Sequence, residues 1–278
     1  MSKGLQLVLC ALLGGAAFIA AHADECKFTA ERSGRISVEG AKRIEIRAGA
    51  GDLKVNGRRG ASDISATGHA CASTQELLDQ VQLKVTRDGD VIHVDVQMPD
   101  LSLIKLGNTY ATLDVIVDLP DNLPLLAVDS SGDATFQHLA SGDISDSSGD
   151  LTISDVNGDL KVRDSSGDLE VERVAGNLQL EDSSGDIEVD EVRGDVTVNA
   201  DSSGSMTIEH IGKSVHVVQD SSGDIDIADV KGNVTIDSDS SGTVDVRKVG
   251  GNFTLGGKGS GEIKVVDITG KVSLPQGR

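Results

Sequence analysis

Residues 167–185 read GDLEVERVAGNLQLEDSSG. Behind Gly167, Leu169 and Val171 alternate with Glu170 and Glu172, and Val174 follows one step out of phase. Behind Gly176, Leu178 and Leu180 flank Gln179, and Asp182-Ser-Ser-Gly185 closes the stretch. Period two is the signature of a strand, so the stretch holds two short strands, each begun by a glycine turn.

The same unit recurs on both sides. Ser-Gly pairs place glycines at Gly132, Gly149, Gly167, Gly185, Gly204, Gly223, Gly242 and Gly261, mostly 18 or 19 residues apart. A second glycine sits inside each of the eight copies, at Gly142, Gly158, Gly176, Gly194, Gly212, Gly232, Gly251 and Gly270. Inward pairs such as Ile187 and Val189, Ile225 and Ile227, and Val244 and Val246 are β-branched, which favours strands over helices. Two strands per copy predict an all-β fold, a single-stranded parallel β-solenoid (β-helix-like) with coils of 18–19 residues. One coil buries too little to fold alone, so matching strands of successive coils must share an interior. Eight coils at about 4.8 Å make a rod close to 40 Å long. A thin interior suits Val, Ile and Leu, in keeping with an aromatic content of 2%; Phe136 and Phe253 mark places where it widens.

The turn before the first strand nearly repeats itself. Asp opens it at Asp129, Asp146, Asp164, Asp182, Asp201, Asp220 and Asp239, and Lys258 replaces it in the last copy. Serine precedes every glycine. A structural role accounts for this: Asp bonds its own backbone, glycine supplies positive φ, and serines form a hydroxyl ladder from coil to coil. The sharper reading is a calcium edge. A second Asp follows the glycine at Asp133, Asp150, Asp168, Asp186 and Asp224, so Asp146 with Asp150, Asp164 with Asp168, Asp182 with Asp186 and Asp220 with Asp224 form two rows of carboxylates. Neighbours one coil apart repel by roughly 1 kcal/mol in water, and a cation would relieve this. The chain lacks the GGxGxD motif of calcium β-rolls, and Asp237–Gly242 starts like an EF-hand loop but meets Lys248 at the twelfth position.

The ends differ in composition. Residues 1–23 carry Lys3, an apolar run from Leu5 to Ala21 and an Ala21-His22-Ala23 ending, the pattern of a cleaved signal peptide, with a membrane anchor as the rival. No other stretch is long and apolar enough to span a membrane. Residues 24–128 hold 16 acids against 12 bases, whereas 129–278 hold 29 against 12. The first of these parts reads as an irregular N-terminal β cap with strands around 43–47, 51–55, 81–85, 91–97 and 111–117, and a hairpin turn at Asp88-Gly89-Asp90. Gly51–Val55 and Ile44–Arg47 resemble degenerate repeat halves. Ser73 with Glu76 predicts a capping box that opens one short helix. Cys26 and Cys71, in an oxidising compartment, suggest one disulfide, the alternative being two buried thiols.

Chemistry is sparse. A formal charge of -20 with no tryptophan excludes phosphate-backbone binding and stacking grooves, so no nucleic-acid partner is expected. Gly212-Lys213-Ser214 imitates the end of a phosphate loop without its first glycine, and no GxSxG elbow exists. His69, His93, His138, His210 and His216 show no metal-helix spacing and read as surface residues. No catalytic residue and no cofactor is predicted. Carbohydrate-cleaving β-helices remain the enzymatic rival, but the coils carry no cleft-forming insertions.

The Gly51-Asp52-Leu-Lys-Val segment, the His69-Ala-Cys71-Ala-Ser-Thr-Gln-Glu-Leu-Leu segment and the Asp-Ser-Ser-Gly-Asp repeats together resemble the bacterial putative-adhesin family of exported β-strand-repeat proteins. The resemblance implies a bacterial envelope protein of uncharacterised function; the capping signs disfavour self-association, so a monomer is expected, in the periplasm first, with secretion or cell-surface display as the alternatives. Its partner would be an envelope protein or polymer.

Overall fold

The computed structural model describes residues 26–101 and 109–275. The predicted signal, residues 1–23, lies outside them. Eight parallel coils stack on one aliphatic interior, and among the described residues they extend into two twelve-stranded sheets. The first sheet takes the strand behind each Ser-Gly turn, from Ala134–Leu139 to Ile263–Ile268, and the second takes the strand behind the inner glycine, from Gly142–Ser145 to Val272–Ser273. Pairing is in register: Leu169 lies beside Ile187, and Val171 beside Val189.

In each of the eight coils the strand of the first sheet turns three apolar side chains inward. Leu169, Val171 and Val174 are all buried, with two outward residues between the last two. The extra residue is Arg173, which takes φ 56° and drops out of the pairing register. The same left-handed residue recurs at His138, Asp155, Glu191, His210, Asp229, Lys248 and Asp267, at φ 54–59°. It turns the chain around the corner and points the third aliphatic back inside. An L-residue there costs roughly 1–2 kcal/mol, which the stacked interior must offset.

The turn glycines are fixed by the stacking. Gly185 has φ 133°, and a Cβ on it would sit 1.7 Å from the carbonyl oxygen of Gly167 in the preceding coil. The serines stack as expected but bond differently: their hydroxyls donate to backbone carbonyls of the preceding coil, as Ser166 does to Ser147 O at 3.0 Å and Ser222 to Ser202 O at 3.1 Å. Phe136 and Phe253 are both fully buried.

The two sheets run without a break across Asp129. Leu125–Val128 already pairs with Gly142–Ser145, Arg43–Arg47 pairs with Leu125–Val128, and Leu53–Arg58 pairs with Ala134–Leu139, all parallel. Arg43–Arg47 and Leu53–Arg58 are therefore further rungs of the solenoid. Their coil is inserted out of chain order, because Val91–Gln97 and Ala111–Pro120 lie on its far side. Antiparallel strands then close the end: Phe28–Ser37 on Asp63–Ala72 in one sheet, and Gln82–Asp88 on Val91–Gln97 in the other. Cys26 and Cys71 are bridged, their Cα atoms 5.6 Å apart, which ties the outermost strand to its neighbour. The helix Gln75–Leu78 is capped by Thr74, whose hydroxyl accepts from Leu77 N at 3.3 Å. This corrects the predicted Ser73 cap by one residue, since Ser73 Oγ instead accepts from Tyr110 N. None of the described helices is long and apolar enough to cross a membrane.

Candidate functional site

The first sheet presents its outward residues as aligned columns. Glu170 lies opposite Glu188, Glu172 opposite Asp190, and Asp190 opposite Glu209. Further along, Asp226 lies opposite Asp245. Partial burial, followed by the like charges of Glu172 and Glu188, pushes the Glu170 carboxyl above its ordinary value. Two cations interrupt the face near its end: Arg247 reaches Asp226 at 2.8 Å and Glu209 at 3.2 Å, and Lys264 approaches Glu262 at 3.5 Å.

The two predicted aspartate rows have separate jobs. The row behind the glycine faces solvent, and each carboxylate accepts the backbone N–H of its counterpart in the next coil. Asp150 N donates to Asp133 at 3.2 Å, Asp168 N to Asp150 at 3.1 Å, Asp186 N to Asp168 at 3.0 Å, Ser205 N to Asp186 at 2.8 Å and Thr243 N to Asp224 at 2.7 Å. The row that opens the turn faces inward. Asp129, Asp146, Asp164, Asp182, Asp201, Asp220 and Asp239 are each at most 4% exposed. Asp146 and Asp164 accept the N–H of the very next serine at 2.7 Å, and Asp201 accepts the N–H two residues on, from Ser203 at 3.2 Å, as in an Asx-turn. Among the described residues, no three or more histidine, cysteine or acidic side chains converge as a metal site needs. The columns are thus parts of the fold, one spent on backbone amides and the other enclosed.

Two features escape a reading of the sequence. Behind the inner glycine runs a second amide ladder: Asn177 N donates to Asp159 at 2.8 Å, Asp195 N to Asn177 at 3.0 Å, Ser214 N to Asp195 at 3.1 Å, and Asn233 N to Ser214 at 3.0 Å. The Ser214 of the phosphate-loop imitation is simply a rung of it. Its signal in the sequence is the short acceptor side chain after each inner glycine or its equivalent.

The second feature is the left-handed corner, whose residues alternate between a basic and an acidic type along the rod: His138, Asp155, Arg173, Glu191, His210, Asp229, Lys248, Asp267. Arg173 reaches Asp155 at 2.8 Å and Lys248 reaches Asp229 at 3.2 Å. Arg173, then burial working against it, sets the Asp155 carboxyl below its usual range. An open groove of about 510 Å³ runs beside this corner, with Arg59, Arg193 and Lys231 on its walls.

The histidines find carboxylate partners. His210 Nδ1 lies 2.6 Å from Asp190, which raises its pKa, and His216 Nε2 lies 2.8 Å from Asp237 on the other sheet.

A stacked two-sheet coil with paired amide ladders is the architecture on which the comparisons with known proteins bear. The family described as Toastrack DUF4097 matches residues 93–273, about two thirds of the chain. The chain belongs to the Toastrack family. That membership agrees with the putative-adhesin resemblance of its repeats. The match begins inside the strand Val91–Gln97, so the Toastrack region takes in all eight coils and the last rungs of the cap. No curated protein matches the chain.

Among solved structures, a putative cell adhesion protein from Clostridium sporogenes is 13% identical over 90% of this chain and 100% of that one, with a TM-score of 0.30. A putative lipid binding protein from Parabacteroides distasonis is 13% identical over 87% and 96%, with a TM-score of 0.42. A putative adhesin from Bacteroides fragilis is 16% identical over 89% and 97%, with a TM-score of 0.33. At these scores the likenesses carry no weight for this Toastrack chain beyond their statement.

Proposed function

We propose that this chain is an exported, non-enzymatic envelope protein, adhesin-like in role, that holds a cationic protein or polymer on the outer face of its first sheet. The observation that carries this reading is the register of like charges: Glu170 with Glu188, Glu172 with Asp190, Asp190 with Glu209 and Asp226 with Asp245. The interior does not require acids at outward positions, and like charges directly opposite one another lower the stability of a sheet. A cationic partner laid along the face relieves that repulsion in one step. The same charge keeps phosphate backbones away.

Export rests on the signal-like residues 1–23 and on the Cys26–Cys71 bridge, which belongs to an oxidising compartment. The periplasm is the proposed location. Fractionation of the producing cell checks it, and accumulation of uncleaved chain in the cytoplasm would contradict it.

The face is tested with poly-lysine as the probe. Neutralising Glu170, Glu188 and Asp190 to their amides lowers its affinity at least about tenfold at low salt. Neutralising Glu39, Asp88 and Asp121, the same number of charges in the cap, leaves affinity within about twofold. Equal losses from the two triple variants would reduce the effect to net charge and sink the proposal.

A further inference from the structure

Seven carboxylates stand in one enclosed column, and among the described residues one cation faces them. Register places Asp201 beside Asp220, Asp220 beside Asp239 and Asp239 beside Lys258. At the other end Ala48 occupies the equivalent rung, between the pairs Arg47 with Val128 and Ala50 with Ser131. The column thus begins on a methyl group and ends on an ammonium. Lys258 Nζ lies 2.7 Å from Asp239 Oδ2 and donates to Gly242 O at 2.6 Å and to Ser260 O, with the lysine side chain 4% exposed and the aspartate fully enclosed. Behind that closed end the Oδ2 atoms of Asp129, Asp146, Asp164, Asp182, Asp201 and Asp220 are enclosed with no hydrogen-bond partner when all are drawn as carboxylates.

We propose that this column is a proton-loaded spine, in which successive aspartates share carboxyl protons across the coil interfaces, so that the stack is firm in acid and loosens as the column ionises. A neutral carboxyl donates one hydrogen bond and still accepts another, so a proton shared between two neighbouring rungs partners one orphaned oxygen of each. Ionised neighbours instead repel inside an enclosed site, where the charge has lost its water. The groups that face the column agree in sign. Asp129 meets Asp146 and Asp52, Asp146 meets Asp133, Asp164 meets Asp182 and Asp146, Asp201 meets Asp182 and Asp186, and Asp220 meets Asp201 and Asp239. Against them stand the backbone N–H groups of the turn serines and, among the described residues of the column, the single ammonium of Lys258.

Burial, and then these neighbours, raises Asp129 and Asp220 to about 7 and Asp164 and Asp201 to about 6. Burial also raises Asp146 and Asp182. In the unfolded chain each returns to an ordinary aspartate near 3.8. Between about pH 4 and pH 7 the folded state therefore holds more protons than the unfolded state. The stabilisation is complete below the unfolded value and is lost as pH rises through 6 to 7.

Thermal melting of the full chain from pH 5 to pH 8.5 tests the proposal against Asp201→Asn/Asp220→Asn, whose amides donate as protonated carboxyls do. The wild type loses several degrees of Tm across that range. The variant melts higher than wild type at pH 8.5 and has a visibly flatter profile, whereas Glu39→Gln/Asp88→Asn, exposed on the cap, keeps the slope. An infrared band of buried protonated carboxyls, present in the wild type at pH 5.5 and gone at pH 9, gives the same answer without a variant. An unchanged slope in the Asn variant, absence of that band, or restoration of Tm at pH 8.5 by potassium but not by tetramethylammonium at equal ionic strength would each overturn it.

Discussion

The repeat coils and the N-terminal cap are built from the same rungs but assembled under different rules. From Gly142 onward each strand lies on the strand one coil earlier, so one local solution is copied: a glycine whose carbonyl excludes a Cβ in the next coil, an amide ladder at each edge, and a left-handed corner. In the cap, Arg43–Arg47 and Leu53–Arg58 make one such coil, but it lies between strands that come later in the chain. Antiparallel strands, a helix and a disulfide then close the end. The difference shows how a solenoid starts. Copied contacts propagate a stack, whereas the first coil needs long-range pairing to exist at all.

Glycine substitutions should separate the two regions most sharply. Gly185→Val meets a backbone oxygen 1.7 Å away at a φ of 133°, and should cost more than about 4 kcal/mol, or the fold itself. Gly60→Ala, at φ 71° with open space around it, should cost about 1 kcal/mol. Chemical denaturation of both variants measures the contrast, and similar losses would mean that the coils do not stack in close backbone contact.

The bridge supplies the next effect. Cys26→Ser with Cys71→Ser should cost about 3 kcal/mol, confined to the cap. Hydrogen exchange should show faster opening of Phe28–Ser37 and Asp63–Ala72 while Ile187–Val192 keeps its protection. Uniform loss along the rod would erase the distinction between the regions.

The corner gives the smallest. Glu191→Gly should lie within about 0.5 kcal/mol of wild type, since relief at φ 56° offsets the added chain entropy, whereas Glu191→Val should lose about 1–2 kcal/mol. Equal stabilities of the two would show that the corner is not held left-handed in solution.

The coils were readable because their inward residues are large, β-branched and regularly placed. The rungs at Ile44–Arg47 and Gly51–Val55 were readable for the same reason. Phe28–Ser37 and Asp63–Ala72 were not. The inward positions of the second are Ile64, Ala66, Gly68, Ala70 and Ala72, a period of two written in side chains too small to register. Packing demands that size, because a Cβ on Gly68 would lie 2.8 Å from a methyl of Leu113.

The order of the inserted coil is a fact of long-range pairing that no local pattern encodes. The left-handed column was hidden because His, Asp, Arg, Glu and Lys share no shape, only a place before the third aliphatic. The aspartate rows were legible as rows, but the sequence does not say which faces inward. That is decided by the glycine between them, whose φ turns the chain so that residues three before it and one after it face opposite ways.

The most direct measurement of in-register stacking uses spin labels on one outward column, Thr135, Asp226 and Lys264. Register puts Asp226 five coils and Lys264 seven coils from Thr135. At about 4.8 Å per coil the backbone separations should be about 24 Å and about 34 Å, on one straight line of increase. Separations that fail to grow with coil number, or that are equal for the two pairs, would contradict a continuous stack.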